Sequence, residues 1–183
     1  MFYPFCHWSK SYRILGVANL FPVFIILYSL FIMQSCSHRV SSTKLIDAFS
    51  SCMSSEECER LLSPAHKWNV VEDQRISPTA IRSQFDVLTV SIDSYTSLGL
   101  TGKLVLRFYN NRLISTWFYP SDFKEYTKKL SRQLGVQIIP GLQTTIGRCT
   151  ELRCVTDHLN EVYVAWEDKR LIKEQSEWIK KHS

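Results

Sequence analysis

The chain has 183 residues, 45% of them hydrophobic and 21% charged, with a formal net charge of +5. This composition is too apolar for a disordered chain, and the length allows one or two small domains. Basic and acidic residues alternate along the sequence, so no single-sign patch marks a nucleic-acid surface.

Lys10 and Arg13 precede residues 14–33, twenty positions without a charge, and Gln34-Ser35-Cys36 follows. A basic start, an apolar run and small residues make residues 1–35 a signal peptide, and twenty apolar positions also suffice for an uncleaved membrane anchor. Both readings place the remainder outside the cytoplasm, because basic residues stay on the inner side. Met33-Gln34-Ser35-Cys36 resembles the bacterial lipobox, which implies cleavage before Cys36 and its lipidation, although Met33 stands where leucine is usual. The expected location is the bacterial cell envelope, lipid-anchored and facing the periplasm, at the outer rather than the inner membrane. An uncleaved anchor and simple secretion are the alternatives. Removing residues 1–35 lowers the net charge to +3.

Beyond that segment, Leu45, Ile46, Phe49 and Cys52 recur at helical spacing and predict a short amphipathic helix over residues 43–51. Ser54 and Glu57 then form a capping box for a second helix that runs to about Leu62 and stops before Pro64. The mature cysteines are Cys52, Cys58, Cys149 and Cys154, two tight pairs. In an oxidising compartment three connectivities are open, and local bridges Cys52–Cys58 and Cys149–Cys154 are expected. A four-cysteine zinc site is the alternative, with spacing that fits structural zinc poorly. Residues 63–84 read as a long irregular loop, with one helical turn at residues 78–83 opened by Ser77-Pro78 and with Trp68 folded back on the core.

Residues 86–93 alternate as a strand, with Leu88, Val90 and Ile92 on one face, and a turn containing Gly99 and Gly102 follows. Residues 103–120 read as a hairpin across Asn110-Asn111, because asparagine tolerates the positive φ of a type I′ turn. That loop pairs Tyr109 with Arg112, Phe108 with Leu113, Leu106 with Ser115 and Leu104 with Trp117. Leu104, Leu106, Phe108, Leu113 and Trp117 then form a core face. Arg107, Tyr109 and Arg112 share the other face and are the candidate interaction surface.

The run from Cys52 to Pro64, with its Met53-Ser54-Ser55-Glu56-Glu57 and Leu61-Leu62-Ser63-Pro64, resembles the helix-pair signature of small SmpA/OmlA (BamE-like) outer-membrane lipoproteins. Cysteine stands for the family's glycine and valine, Ser63 for a second glycine, and Pro64 comes one residue early. Over residues 36–120 the resemblance implies a lipid anchor, a helix pair, a three-stranded sheet and an accessory role in outer-membrane protein assembly.

After Pro120, Asp122 and Glu125 cap a helix with Phe123, Tyr126, Leu130 and Leu134 on one face, Lys124, Lys128, Lys129 and Arg132 on the other, and Gly135 as its stop. Val162, Val164, Trp166, Arg170, Leu171 and Ile172 then echo Leu104, Leu106, Phe108, Arg112, Leu113 and Ile114 at an offset of 58 residues. This suggests a second hairpin turning at Asp168-Lys169, with residues 143–149 as its first strand; a helix over residues 171–179 fits the same spacing. The expected fold is therefore α+β, with antiparallel sheets of about three strands each packed by short helices, in two tandem repeats or one fused domain: residues 36–120 and residues 121–183.

No nucleophile elbow, phosphate loop, zinc-protease helix or calcium loop is present. Asp157-His158 and Glu167-Asp168 are expected in a polar loop and a hairpin turn. The reading is a non-enzymatic envelope interaction module without cofactor or metal, tethered to the membrane and partnered by another envelope protein. The alternatives are a periplasmic binder or inhibitor of a soluble enzyme, using Tyr109, Trp166 and Trp178, or an anchored protein of another role.

Overall fold

Asn110 and Asn111 take φ of 49° and 53°, the left-handed conformation that a type I′ turn requires, and the strands on either side fold back on one another. In the computed structural model, which describes residues 42–62, 66–74 and 85–183, this hairpin lies near the middle of one seven-stranded antiparallel sheet. In chain order the elements are α1 (Ser55–Leu61), β1 (Trp68–Gln74), β2 (Val87–Ser97), β3 (Leu100–Tyr109), β4 (Arg112–Pro120), α2 (Phe123–Leu134), β5 (Gln143–Ile146), β6 (Thr150–Thr156), β7 (Val162–Asp168) and α3 (Lys169–His182). The strand order is β1-β2-β3-β4-β7-β6-β5. Two meanders thus meet where β4 pairs with β7, from Ser115 opposite Glu167 to Phe118 opposite Val164. The division expected at residue 120 falls inside this sheet, and Ser41–Ser183 cluster as one compact unit. The segment of residues 1–35, Cys36 and the turn expected at residues 78–83 lie outside the described residues.

The α+β class is seen, but two separate three-stranded sheets are not, and neither is a repeat. The echo at residues 162–172 breaks at Asp168. There the carboxylate accepts the Arg170 amide and caps α3, so the chain enters a helix where the first copy turns back. The helical alternative for residues 171–179 is the one observed.

One bulge changes the hairpin's faces. Tyr109 pairs with Arg112 and Phe108 with Leu113, but Arg107 then pairs with Ser115, leaving Ile114 as an extra residue. Beyond it the register moves by one: Leu106 faces Thr116 and Leu104 faces Phe118. Phe118 therefore enters the core, while Trp117 moves to the opposite face beside Val105. Gly102 belongs to β3 and not to the preceding turn, which is formed by Leu98 and Gly99 at φ of 51° and 74°. A Cβ on Gly102 would stand 2.1 Å from the Tyr119 carbonyl oxygen, so the strands can approach only because that atom is missing.

The core lies on the face of Val90, Ile92, Leu104, Leu106, Phe108, Leu113 and Phe118, and continues through Leu152, Val164 and Trp166. Helix α2 covers it with Tyr126 and Leu130, capped by Asp122 and stopped at Gly135 in the left-handed region. Helix α1 contributes Cys58, and its capping box forms with Ser54 Oγ accepting the Glu57 amide at 3.2 Å. Residues 43–51 are not a helix. Asp47 and Cys52 take positive φ, Lys44 and Ser50 form an isolated bridge, and the chain closes a tight loop that still buries Leu45, Ile46 and Phe49. Residues 68–74 are a strand and not a loop. Its pairing with β2 skips Val71, and this bulge hides the alternation. Trp68 packs against the core as expected, its ring 6.1 Å from that of Phe108.

Candidate functional site

The three residues expected to form a recognition surface are divided by α3. Tyr109 is 1% exposed and joins Ile114 and Leu171 in a second apolar cluster. Phe85 fills the space beside it, with ring centroids 5.5 Å from Tyr109 and 4.3 Å from Trp178 of α3. Arg112 reaches Glu174 on the same helix with two hydrogen bonds, at 3.2 and 2.5 Å. The Glu174 hydrogen bonds raise the guanidinium pKa against the effect of partial burial, so Arg112 is a fixed cation that fastens α3. Tyr109 and Arg112 are therefore helix-docking residues.

Arg107 is half-buried on the same face, and the register brings other residues to it. Across the sheet, Arg107 stands opposite Ser115 and Ser115 opposite Glu167, while Val105, Trp117, Ala165 and Arg153 form the neighbouring row. The Arg107 guanidinium lies 5.0 Å from the Trp117 ring, and the Lys103 ammonium lies 4.2 Å from the Tyr119 ring. Tyr163 joins from β7, stacked on Tyr119 at 4.7 Å and 5.4 Å from Trp117. Burial pushes both phenols up, aided at Tyr119 by Tyr163 and nearby carboxylates and at Tyr163 by Glu167 and Asp157 against Arg153 and Arg107, so both are neutral hydroxyls at physiological pH. Arg153 pairs with Glu167 and Lys103 with Glu161 at the borders of this stripe.

Among the described residues, Ser115 Oγ, Trp117 Nε1 and Arg153 Nε on this face are enclosed without a hydrogen-bond partner. Each such group costs roughly 1–3 kcal/mol of folding stability. Trp117 and Tyr163 were not singled out from the sequence as binding residues. The bulge at Ile114, which carries Trp117 to this face, has no glycine or proline to announce it.

The residues considered for chemistry are otherwise engaged. Asp157 accepts the Leu159 and Glu161 amides, both at 2.9 Å, and closes the β6–β7 turn. Glu167 pairs with Arg153, whereas Asp168 accepts from Ser51 Oγ and the Arg170 side chain, so the two carboxylates serve separate networks. Burial raises Cys58 to about 12 and Cys154 to about 11, which suppresses thiolate formation. Among the described residues no group of three or more His, Cys, Asp or Glu side chains is arranged to hold a metal, and no helix is long and apolar enough to cross a membrane. Cys52, Cys58, Cys149 and Cys154 are thiols in the structure, so the expected Cys52–Cys58 and Cys149–Cys154 bridges are not seen. Cys58 lies in the main core, and Cys52 packs against the cluster under α3. Lys124, Lys128 and Arg132 are exposed, and half-buried Lys129 reaches the Leu98 carbonyl at 3.3 Å. Trp166 is buried in the core, which removes it as a binding anchor.

Comparison with family models, curated proteins and solved structures yields no match. The functional reading therefore rests on the chain's own residues.

Proposed function

We propose that this protein is a non-enzymatic interaction module of the bacterial envelope, tethered through Cys36 or the preceding apolar segment, and that it binds another envelope protein through the sheet face that carries Arg107 and Trp117. The supporting observation is the stripe of Lys103, Arg107, Trp117, Tyr119 and Tyr163 across β3, β4 and β7. Arginine, tryptophan and tyrosine are the residue types that dominate binding energy at protein interfaces, chiefly when clustered and partly desolvated. The stripe is also prearranged: the rings brace one another and the cations are held over them, so little side-chain entropy is lost on docking.

This reading retains the membrane tether and the protein partner and moves the recognition surface. Arg107 stays; Trp117, Tyr119, Tyr163 and Lys103 replace Tyr109 and Arg112. An accessory role in outer-membrane protein assembly is the most specific form of the proposal and rests on the resemblance of residues 36–120. The direct test is crosslinking in intact cells, followed by affinity measurement on the captured partner with the Arg107→Glu and Trp117→Ala variants. Losing one central anchor should weaken binding by about 2 kcal/mol, close to thirtyfold. Equal affinity in both variants, with the fold intact, would assign recognition elsewhere.

A further inference from the structure

Cys52 and Cys149 are far apart in sequence, yet the fold brings their neighbours into one network. The Cys52 amide donates to the Leu113 carbonyl at 3.0 Å, and the Leu113 amide donates to the Met53 carbonyl at 2.8 Å. Residues 51–53 therefore lie alongside the start of β4, at the end of the sheet where β7 gives way to α3. From the other side, the Lys169 amide donates to the Cys149 carbonyl at 3.0 Å, one step beyond the pairing of Thr150 with Asp168.

The flanking residues close the gap. Thr43 accepts the Ser51 amide on its carbonyl at 2.8 Å and donates its own amide to Ser51 Oγ at 2.9 Å, and its hydroxyl lies 2.7 Å from that of Thr150. Ser51 Oγ in turn donates to Asp168 at 2.7 Å. The residue before Cys52 and the residue after Cys149 are thus joined through one threonine and one aspartate. Thr150 points to the core side of the sheet with Trp166 and Leu130. Cys149 is the last residue of the β5–β6 turn, next to Thr150, and Cys52 packs with Tyr109, Ile114 and Leu171 on the other side of the sheet. Both thiols also lie within electrostatic reach of the Arg170 guanidinium.

We infer that Cys52 and Cys149 are a disulfide-forming pair that fastens the loop of residues 42–54 to the β5–β6 turn, with the structure representing its reduced state. Cys58 and Cys154 do not take part: they are 0% and 7% exposed and stay as core thiols. With oxidised glutathione as oxidant, one protein thiolate attacks its disulfide and releases one glutathione thiol. The second protein thiolate then displaces the other glutathione. Two electrons pass to glutathione, each protein thiol loses its proton, and one S–S bond forms.

The test is disulfide mapping of the full chain after equilibration with oxidised glutathione, alkylation of residual thiols and non-reducing proteolysis. The expected product is a Cys52–Cys149 linked peptide, absent from Cys149→Ser, with Cys58 and Cys154 alkylated only after unfolding. The unmodified chain carries the decision, so it does not depend on how well a variant folds. A Cys52–Cys58 or Cys149–Cys154 peptide, Cys52 joined to any other cysteine, or alkylated Cys52 and Cys149 after oxidation would overturn the assignment.

Discussion

Asp168 is the residue on which three parts of the fold converge, and its removal has a calculable cost. Its carboxylate is fully buried, accepts from Ser51 Oγ at 2.7 Å, caps α3 through the Arg170 amide at 3.0 Å and meets the Arg170 guanidinium at 2.6 Å. Asp168→Ala deletes the cap, worth about 1 kcal/mol. It also strands the buried Ser51 hydroxyl at roughly 1–2 kcal/mol. Arg170 keeps 32% of its side chain in solvent, so the ion pair adds less than about 1 kcal/mol after screening. The sum is on the order of 3 kcal/mol, a fall in Tm of roughly 6–12 °C at this chain length. Urea unfolding at pH 7, followed by tryptophan fluorescence, measures it. Burial alone would raise this carboxyl; the hydrogen bonds from Arg170 and Ser51 prevail and lower it. Since the folded pKa lies below the unfolded one, the ionised form contributes stability above the unfolded value, about 3.9, and that contribution is lost as pH falls through the folded pKa. The difference between the natural chain and Asp168→Asn should therefore be full at pH 7 and shrink below about pH 4. A cost under about 0.5 kcal/mol for Asp168→Ala at pH 7 would refute this reasoning.

Three further perturbations probe the frame around the stripe. Gly102→Ala should destabilise by about 2–3 kcal/mol in urea unfolding, because its Cβ meets the Tyr119 backbone and not a movable side chain. Asn111→Gly should fail to stabilise despite suiting a type I′ turn, and should cost up to about 1 kcal/mol; Asn111 Oδ1 accepts both the Ser55 amide at 3.0 Å and the Ser55 hydroxyl at 2.8 Å, tying the turn to α1. Arg112→Ala should cost about 1 kcal/mol or less overall, since both partners are partly exposed, and hydrogen exchange should show the loss concentrated in α3.

Local chemistry made parts of this fold legible. The Asn110-Asn111 turn, the Ser54–Glu57 capping box and the Asp122 and Gly135 ends of α2 are set by side chains acting within a few residues, and each forms as the sequence indicates. The face of Leu88, Val90 and Ile92 follows from alternation alone. What was hidden depends on partners distant in sequence. Leu45, Ile46 and Phe49 satisfy a helical spacing and an inward loop equally well, and the choice is made by contact of residues 51–53 with β4. The bulges at Val71 and Ile114 shift register without a breaker residue, so alternation counted past them assigns the wrong face. Trp117 was misplaced for that reason. Arg170-Leu171-Ile172 matches Arg112-Leu113-Ile114 in letters, but Asp168 caps a helix where Asn110 permits a turn.

The most direct test of the proposed recognition face is a photocrosslinking amino acid placed in cells at Arg107 and, for comparison, at Lys128 on the opposite side of the sheet. Position 107 should yield a discrete adduct with an envelope protein that disappears when Trp117→Ala is added, while position 128 yields none. An adduct from position 128 and none from position 107 would contradict the assignment of the Trp117 stripe as the partner-binding surface.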